Sequence, residues 1–188
     1  MHTFKKYIED LFPISKEDWE HIASCIEVRS LKKGEELVRK GAKFSKEVFV
    51  SEGVLRSFLI DEEGNDKSTS FFLEGEFMST HVFRTKNGHS LQSYQALKVA
   101  RVLLLDRIRF NEIMSAQHLN TLGRMLKEKE KDRWLAREEC LLQMKAKDKY
   151  AKFMACYPHS LENEISHRYI ASYLGITPIS LSRIRRKS

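Results

Sequence analysis

The sequence predicts an α+β fold in which a small β module lies between helical segments and a pair of short helices closes the chain. Three observations lead to this fold class. Apolar runs separated by glycines fill residues 28–105, a stretch almost free of glycine and proline covers residues 106–157, and the last two dozen residues have the spacing of a helix-turn-helix.

Residues 3–26 are predicted to be helical because apolar side chains recur there at helical spacing, with a break at Pro13. Ser15 and Asp18 are placed as a capping box for the second helix. We expect the apolar face of that helix to continue to Ile26.

The β module is predicted from its turn signals. The first five glycines of residues 34–75 are separated by gaps of 7, 12, 11 and 11 residues. Short strands at this spacing are typical of a small sandwich or barrel. The polar run 61–66 predicts a hairpin tip, and residues 99–105 predict the last strand.

Residues 106–157 predict short helices that lead into a long one. Apolar positions, Leu122 and Leu126 among them, flank a charged stretch at 127–133. These positions fit either the seam of a two-helix dimer or packing against the β module. We favour the dimer seam.

Composition excludes several classes of protein. A hydrophobic content of 41% with 31% charged residues is that of a soluble globular protein. No apolar run or secretory leader is evident, so we expect a cytoplasmic protein without membrane contact. Three scattered cysteines predict reduced thiols, and neither cysteine nor histidine spacing suggests a metal site. No nucleophile–base motif is present, so we expect no enzymatic activity and no cofactor.

The net charge of +7 lies entirely in residues 106–188, which carry 17 basic and 10 acidic residues, whereas residues 1–105 carry 16 of each. This asymmetry suggests a neutral module joined to one that binds a polyanion, although ordinary charge scatter could also produce it.

The C-terminal segment meets the requirements of two helices at a tight turn. Ala171 is small where the helices approach, and Gly175 permits a positive φ. Thr177 is suited to cap the second helix, with Pro178 at its first position. The predicted shared core consists of Ile170, Leu174, Ile176, Leu181 and Ile184.

The second helix is basic, which favours double-stranded DNA as a partner over a generic helical hairpin. Arg183 is the candidate for bidentate contact with guanine, and Ile179 offers only apolar contact, for example to a thymine methyl group. The remaining candidates for base-edge or phosphate contacts are Thr177, Ser180, Arg185, Arg186, Lys187 and, opening the first helix, Arg168. A solvated basic tail is the alternative interpretation of residues 185–187.

With these residues in place, the chain resembles the Crp/Fnr family of bacterial regulators, in particular its short members. The segments that carry the resemblance are Leu31–Glu35, Arg39–Gly41, Phe49–Arg56, Phe72–Phe77, Tyr169–Pro178 and Leu181–Arg185. The resemblance implies an N-terminal double-stranded β-helix (a jelly roll of the cyclic-nucleotide-binding type), a long dimerisation helix and a C-terminal winged helix-turn-helix. It also implies a homodimer that reads a two-fold-symmetric operator and contacts RNA polymerase. We expect the sensor module at 1–147, with the dimerisation helix at about 115–147, and the DNA-binding domain at 148–188.

The resemblance places an effector pocket at Gly75, Glu76, Phe77, Arg84, Ser90 and Leu91. Family members that bind cyclic nucleotides neutralise the phosphate with an arginine, and here Ser90 occupies that position. We therefore expect no cyclic-nucleotide binding, and we expect Glu76 to be an unneutralised carboxylate. Arg84 and Lys86 lie nearby but out of register.

The helix-turn-helix departs from the family at two points. Pro178 and Ile179 stand where the family often has charged base-reading residues, and residues 157–164 are short for a wing hairpin, so we expect a reduced wing. The alternative function is a cyclic-nucleotide sensor whose C-terminal helices mediate only protein contacts.

Overall fold

The computed structural model describes residues 1–78 and 84–186. Within these residues the helices are α1 His2–Glu9, α2 Lys16–Ser24, α3 Arg107–Ile113, α4 Ala116–Leu142, α5 Ala146–Cys156, α6 His159–Glu164, α7 His167–Leu174 and α8 Pro178–Arg185. The strands are β1 Ile26–Leu31, β2 Glu36–Val38, β3 Glu47–Glu52, β4 Val54–Ile60, β5 Asp66–Leu73, β6 Thr85–Lys86, β7 His89–Ser90, β8 Ser93–Ala96 and β9 Ala100–Leu105. No helix among the described residues is long and apolar enough to cross a membrane.

The strands form the predicted roll. One antiparallel sheet has the order β1-β9-β3, a second has the order β2-β8-β4-β5, and β6 and β7 form a separate hairpin. Gly53 at the β3–β4 turn shows why glycines mark this region. Its φ is +94°, and an added Cβ would lie 2.6 Å from the carbonyl oxygen of Val99. The predicted hairpin tip at 61–66 is confirmed as the turn between β4 and β5.

The roll has an apolar core of its own, and helices pack against its outer surface. Leu55, Phe72 and Val102 are fully buried within the roll. A second cluster joins α1 to the outer surface of the roll, where the ring of Phe4 contacts that of Phe49 at 5.1 Å. Helices therefore cover a roll that is already packed internally.

The N-terminal helices follow the prediction except at their end. Ser15 and Asp18 form the expected capping box at the start of α2. However, α2 ends at Ser24, and Ile26 begins β1, where it is paired with Leu105 of β9. The helical assignment of Ile26 was wrong because backbone pairing with a distant strand outweighs local apolar spacing.

The predicted succession of a short helix and a long one is confirmed by α3 and α4. The role in a dimer seam that we favoured for Leu122 and Leu126 is not confirmed. Both side chains are buried in the cluster that joins the helices to the roll, at 6% and 9% exposure. The alternative, packing of α4 against its own β module, is correct for these two residues. The division at residue 147 stays a prediction.

Because Leu122 and Leu126 are part of the core of a single chain, replacing either with alanine should lower the free energy of unfolding by about 2–5 kcal/mol. Ile108→Ala, at a position 66% exposed on α3, is the control and should change it by no more than about 0.5 kcal/mol. Urea denaturation followed by circular dichroism measures the free energy of unfolding of all three variants. Losses below 1 kcal/mol for both leucines would contradict the core assignment.

Candidate nucleic-acid interface

Helices α7 and α8 meet at the predicted tight turn. Gly175 ends α7 in the left-handed conformation, with a φ of +63°, and Ala171 is fully buried where the helices approach. The amide of Ile176 donates to the Ala171 carbonyl at 3.0 Å, which fixes the chain reversal. The helix-turn-helix predicted from spacing is therefore present with the expected turn chemistry.

The start of α8 is defined by Thr177 and Pro178. The Thr177 side chain accepts a hydrogen bond from the Ser180 amide at 3.1 Å, and Pro178 occupies the first turn. The predicted N-cap is confirmed. The Thr177 and Ser180 hydroxyls are also 2.9 Å apart, so each already has a hydrogen-bond partner at the tip of the helix.

The core beneath the motif contains the five predicted residues. Ile170, Leu174 and Leu181 are fully buried, and Ile176 and Ile184 pack against them while half-buried. This packing fixes which face of α8 points outward.

The outward face of α8 carries an apolar side chain and two cations. Ile179 is 66% exposed, and Arg183 and Arg186 are exposed as well. Neither guanidinium forms an ion pair with the residues that the structure describes. Lys187, also predicted to contact DNA, lies outside the described residues. The exposed residues thus form a face that can meet a polyanion.

Arg185 points inward instead. Its guanidinium forms an ion pair with Glu162 of α6 and lies 2.7 Å from Nε2 of His167. Tyr150 of α5 donates to the same carboxylate, and burial together with Glu162 raises the pKa of Tyr150 to about 12. Arg185 therefore fixes α8 to α6 and α7. The sequence did not predict this role because the partner carboxylate lies on a separate helix, α6.

Arg168 is exposed at the start of α7, as the sequence predicts. Its guanidinium lies 4.5 Å from the centroid of the Tyr169 ring and also hydrogen-bonds the hydroxyl of that residue. At the other end of α7, Lys149 donates to the Leu174 carbonyl at 3.3 Å. A cation there stabilises the negative end of the helix dipole.

The predicted effector residues are distributed among different environments. Glu76 accepts from the Leu73 amide at 2.9 Å and lies 3.4 Å from the guanidinium of Arg133 on α4. The expectation that Glu76 lacks a neutralising cation was therefore wrong, because the long helix supplies one. No signal near Glu76 in the sequence could have identified this distant arginine.

Arg84 is oriented toward β3. Its buried guanidinium donates to the Lys46 carbonyl at 2.6 Å and lies 3.7 Å from the Glu47 carboxylate. Ser90 donates to the Gln92 carbonyl, and Leu91 is exposed. Arg84 is thus engaged with the start of β3 and Ser90 with its own turn, whereas Leu91 faces solvent.

Two of the six predicted effector residues line cavities that border α4, and the two cavities are different. Glu76 and Arg133 line a cavity of about 370 Å³ between β5, α4 and the end of α5. Phe77 lines another, of about 260 Å³, between the roll and the first half of α4. Neither of these cavities brings the six residues together.

The N-cap at Thr177 provides a test of how α8 is held. Thr177→Ala should lower the free energy of unfolding by about 1 kcal/mol, because the Ser180 amide loses its acceptor. Thr177→Ser keeps the hydroxyl and should retain most of the stability. Thermal unfolding measures both variants, and an equal loss in the two would exclude the capping bond as the cause.

The sequence finds no match among protein-family models or among curated proteins. The fold is similar to that of FixK2 from Bradyrhizobium japonicum, with a TM-score of 0.72, 19% identity and coverage of 86% of this chain and 83% of that one. It is also similar to a transcriptional regulator assigned to the crp/fnr family from Eubacterium rectale (TM-score 0.70, 18% identity, 95% and 87% coverage). A third is the c-di-GMP-responsive regulator CLP from Xanthomonas campestris (TM-score 0.69, 12% identity, 92% and 91% coverage). At these identities the comparison establishes the architecture: the chain has the fold of the Crp/Fnr regulators, as the sequence predicts.

Proposed function

We propose that this protein is a DNA-binding transcription regulator of the Crp/Fnr type. The observation that carries the proposal is the outward face of α8, where Ile179, Arg183 and Arg186 are exposed on a helix whose opposite face is fixed by a buried core. A helix of this kind fits the major groove of B-form DNA with its N-terminal residues at the base edges.

The roles of these side chains follow from their positions. Arg183 lies near the middle of the exposed face, and its fork of donors matches the O6 and N7 acceptors of guanine. Ile179, one turn earlier, contacts a thymine methyl group. Arg186, at the end of α8, meets phosphates together with Lys187 and with Arg168 at the start of α7.

We propose that the active form is a homodimer joined through the second half of α4. Trp134 and Leu142 are 62% and 76% exposed, and Leu135 lies one heptad before Leu142 on the same face. Apolar side chains repeated at this spacing along a helix are suited to a partner helix. In such a dimer the two α8 helices would contact the two halves of a two-fold-symmetric operator. The dimer bound there would also contact RNA polymerase.

The roll, in this proposal, does not recognise cyclic nucleotides. A buried phosphate needs a cation, and the two nearby arginines are engaged elsewhere, Arg133 with Glu76 and Arg84 with Glu47. The roll would respond to a different effector or serve as a scaffold.

Selection of duplexes from a random pool should yield a two-fold-symmetric sequence. On that site Arg183→Ala should cost about 1–3 kcal/mol and relax the preference at one base pair per half-site. Arg186→Ala should weaken all duplexes alike and lower the salt slope by about one. Arg101→Ala, which removes an exposed arginine of the roll paired with Glu52, is the control and should leave binding unchanged. Failure of the wild type to bind duplex DNA at low salt would refute the function.

Replacing Leu135 and Leu142 together with glutamate should produce monomers, because two like charges would face their copies across the seam. Analytical ultracentrifugation at micromolar concentration measures the oligomeric state. These monomers should bind the operator far more weakly because the two half-sites are no longer linked. Ile108→Glu, at a position also exposed but on α3, should remain dimeric. A monomeric wild type would exclude this dimer.

Calorimetry with cyclic AMP and with cyclic GMP should detect no binding at tens of micromolar, and neither nucleotide should alter DNA affinity. The reason is the cost of desolvating a phosphate when Arg84 and Arg133 are already paired with carboxylates. Low-micromolar binding of either nucleotide would contradict this expectation, and Arg84→Ala and Arg133→Ala would then identify the cation.

A further inference from the structure

One buried cation lies at the junction between the roll and the helix-turn-helix. Arg56 of β4 is 1% exposed, and its guanidinium donates to both Asp66 oxygens at 2.9 and 2.7 Å. It also donates to Ser68 at 3.0 Å and to the Gln95 side chain at 2.9 Å. This bonding fixes the plane of the guanidinium on the outer surface of the sheet.

The helix-turn-helix packs directly on that plane. The guanidinium lies between two rings, with Phe58 of the roll at 4.4 Å and Tyr169 of α7 at 4.1 Å from its carbon to the ring centroids. Since Tyr169 is buried as well, the cation–π contact is shielded from water. Arg56 therefore links the roll to the first helix of the motif.

A second contact fixes the same helix. Among the strands that the structure describes, β5 is the last of its sheet, so one edge of its backbone is not paired with another of these strands. The Ser172 hydroxyl of α7 donates to the Asp66 carbonyl at 2.9 Å and accepts from the Ser68 amide at 2.9 Å. Two directional bonds to an edge strand define both the position and the rotation of α7.

The Asp66 carboxyl of this cluster is held in its ionised form. Hydrogen bonds from Arg56 are the main reason that the pKa of the Asp66 carboxyl lies below its usual value, with Arg168 contributing. The cluster thus keeps the same charge state across the physiological range, and it can act as a fixed support.

The outward face of α8 is open in this docked arrangement, with Arg183 and Arg186 both exposed. Docking therefore does not cover the side chains proposed to read DNA. Docking restricts the orientation of α7 relative to the roll and α4. Because α7 and α8 share a core, it restricts the orientation of α8 as well.

We propose that Arg56 is a positioning residue for DNA binding, which holds the helix-turn-helix in its reading orientation by stacking on Tyr169 while Ser172 fixes the edge of β5. This inference rests on the proposed function, since it assigns to the roll a part in operator affinity. A motif that is already oriented loses less freedom when it binds, so releasing it lowers affinity.

The test uses the full chain and the operator selected from the random pool. Arg56→Met removes the cation and its fork, and we expect operator affinity to fall about three- to thirtyfold, the range that cation–π contacts span between exposed and desolvated sites. Tyr169→Leu removes the other half of the contact and should cost a similar factor. The affinity losses of the two single variants should add up to more than the loss in the double variant, because the Arg56–Tyr169 contact is counted in both.

Hydrogen exchange separates positioning from general stability. The Ser68 amide bonds to Ser172 across the junction, so its exchange reports docking directly. In Arg56→Met the Ser68 amide should exchange at least tenfold faster while the amides between β4 and β8 stay protected. Arg101→Met, at an exposed arginine on β9, should alter neither exchange nor affinity.

Ser172→Ala is the variant to use if Arg56→Met does not fold. Because it removes the acceptor of the Ser68 amide, its readout is operator affinity alone, which should fall. Unchanged affinity with accelerated Ser68 exchange would overturn the inference, and so would unchanged exchange. Higher affinity in the variants would overturn it too, since the junction would then hold the motif in an inhibited arrangement. If the wild type bound no DNA, the proposed function itself would fail, while Ser68 exchange would still report whether Arg56 holds the junction.

Discussion

The architecture depends on β5, a strand that buries side chains on both of its faces. Phe72 points into the roll, and Phe71 points away from it, yet both are fully buried. Strands that alternate between core and solvent need no cover on their outer face, whereas this one does. The cover is an aromatic cluster in which Tyr157 and Tyr173 contact Phe71 at 5.6 and 5.5 Å between ring centroids.

This double burial determines where the C-terminal helices lie. Because Phe71 is covered by side chains from α5, α7 and the residue that follows α5, these helices are held against the roll by the hydrophobic effect rather than by the linker alone. Burial also raises the pKa of Tyr157 to about 12, so its ring stays neutral in the cluster. The sheet that closes the roll thus also supports the helix-turn-helix.

Local features of both halves could be predicted from the sequence, because their causes lie within a few residues. Gly175 and Thr177 produce the turn and the cap through their own backbone and side-chain preferences. The glycines between strands act in the same local way. In contrast, Ser68 and Ser172 are 104 residues apart, and only the packing of β5 brings them together. Long-range partners carry no periodic signal, so the junction could not be found by pattern.

The same limit explains which side chains were misjudged. The side chains of Leu122 and Glu76 look available in the sequence, one for a partner helix and one for a ligand, but each is already satisfied by its own chain. Amphipathic spacing shows that a face is buried, but it does not show what covers it.

The inward turn of Arg185 changes how the basic composition of the motif should be counted. Residues 165–188 contain five basic residues, but the Glu162 carboxylate already compensates one of them. The number of counterions that a duplex releases depends on cations that reach its phosphates, not on formal charge. A dimer would therefore displace about two fewer ions than its composition suggests. Its binding would tolerate rising ionic strength better than that of a helix with the same sequence and every arginine free.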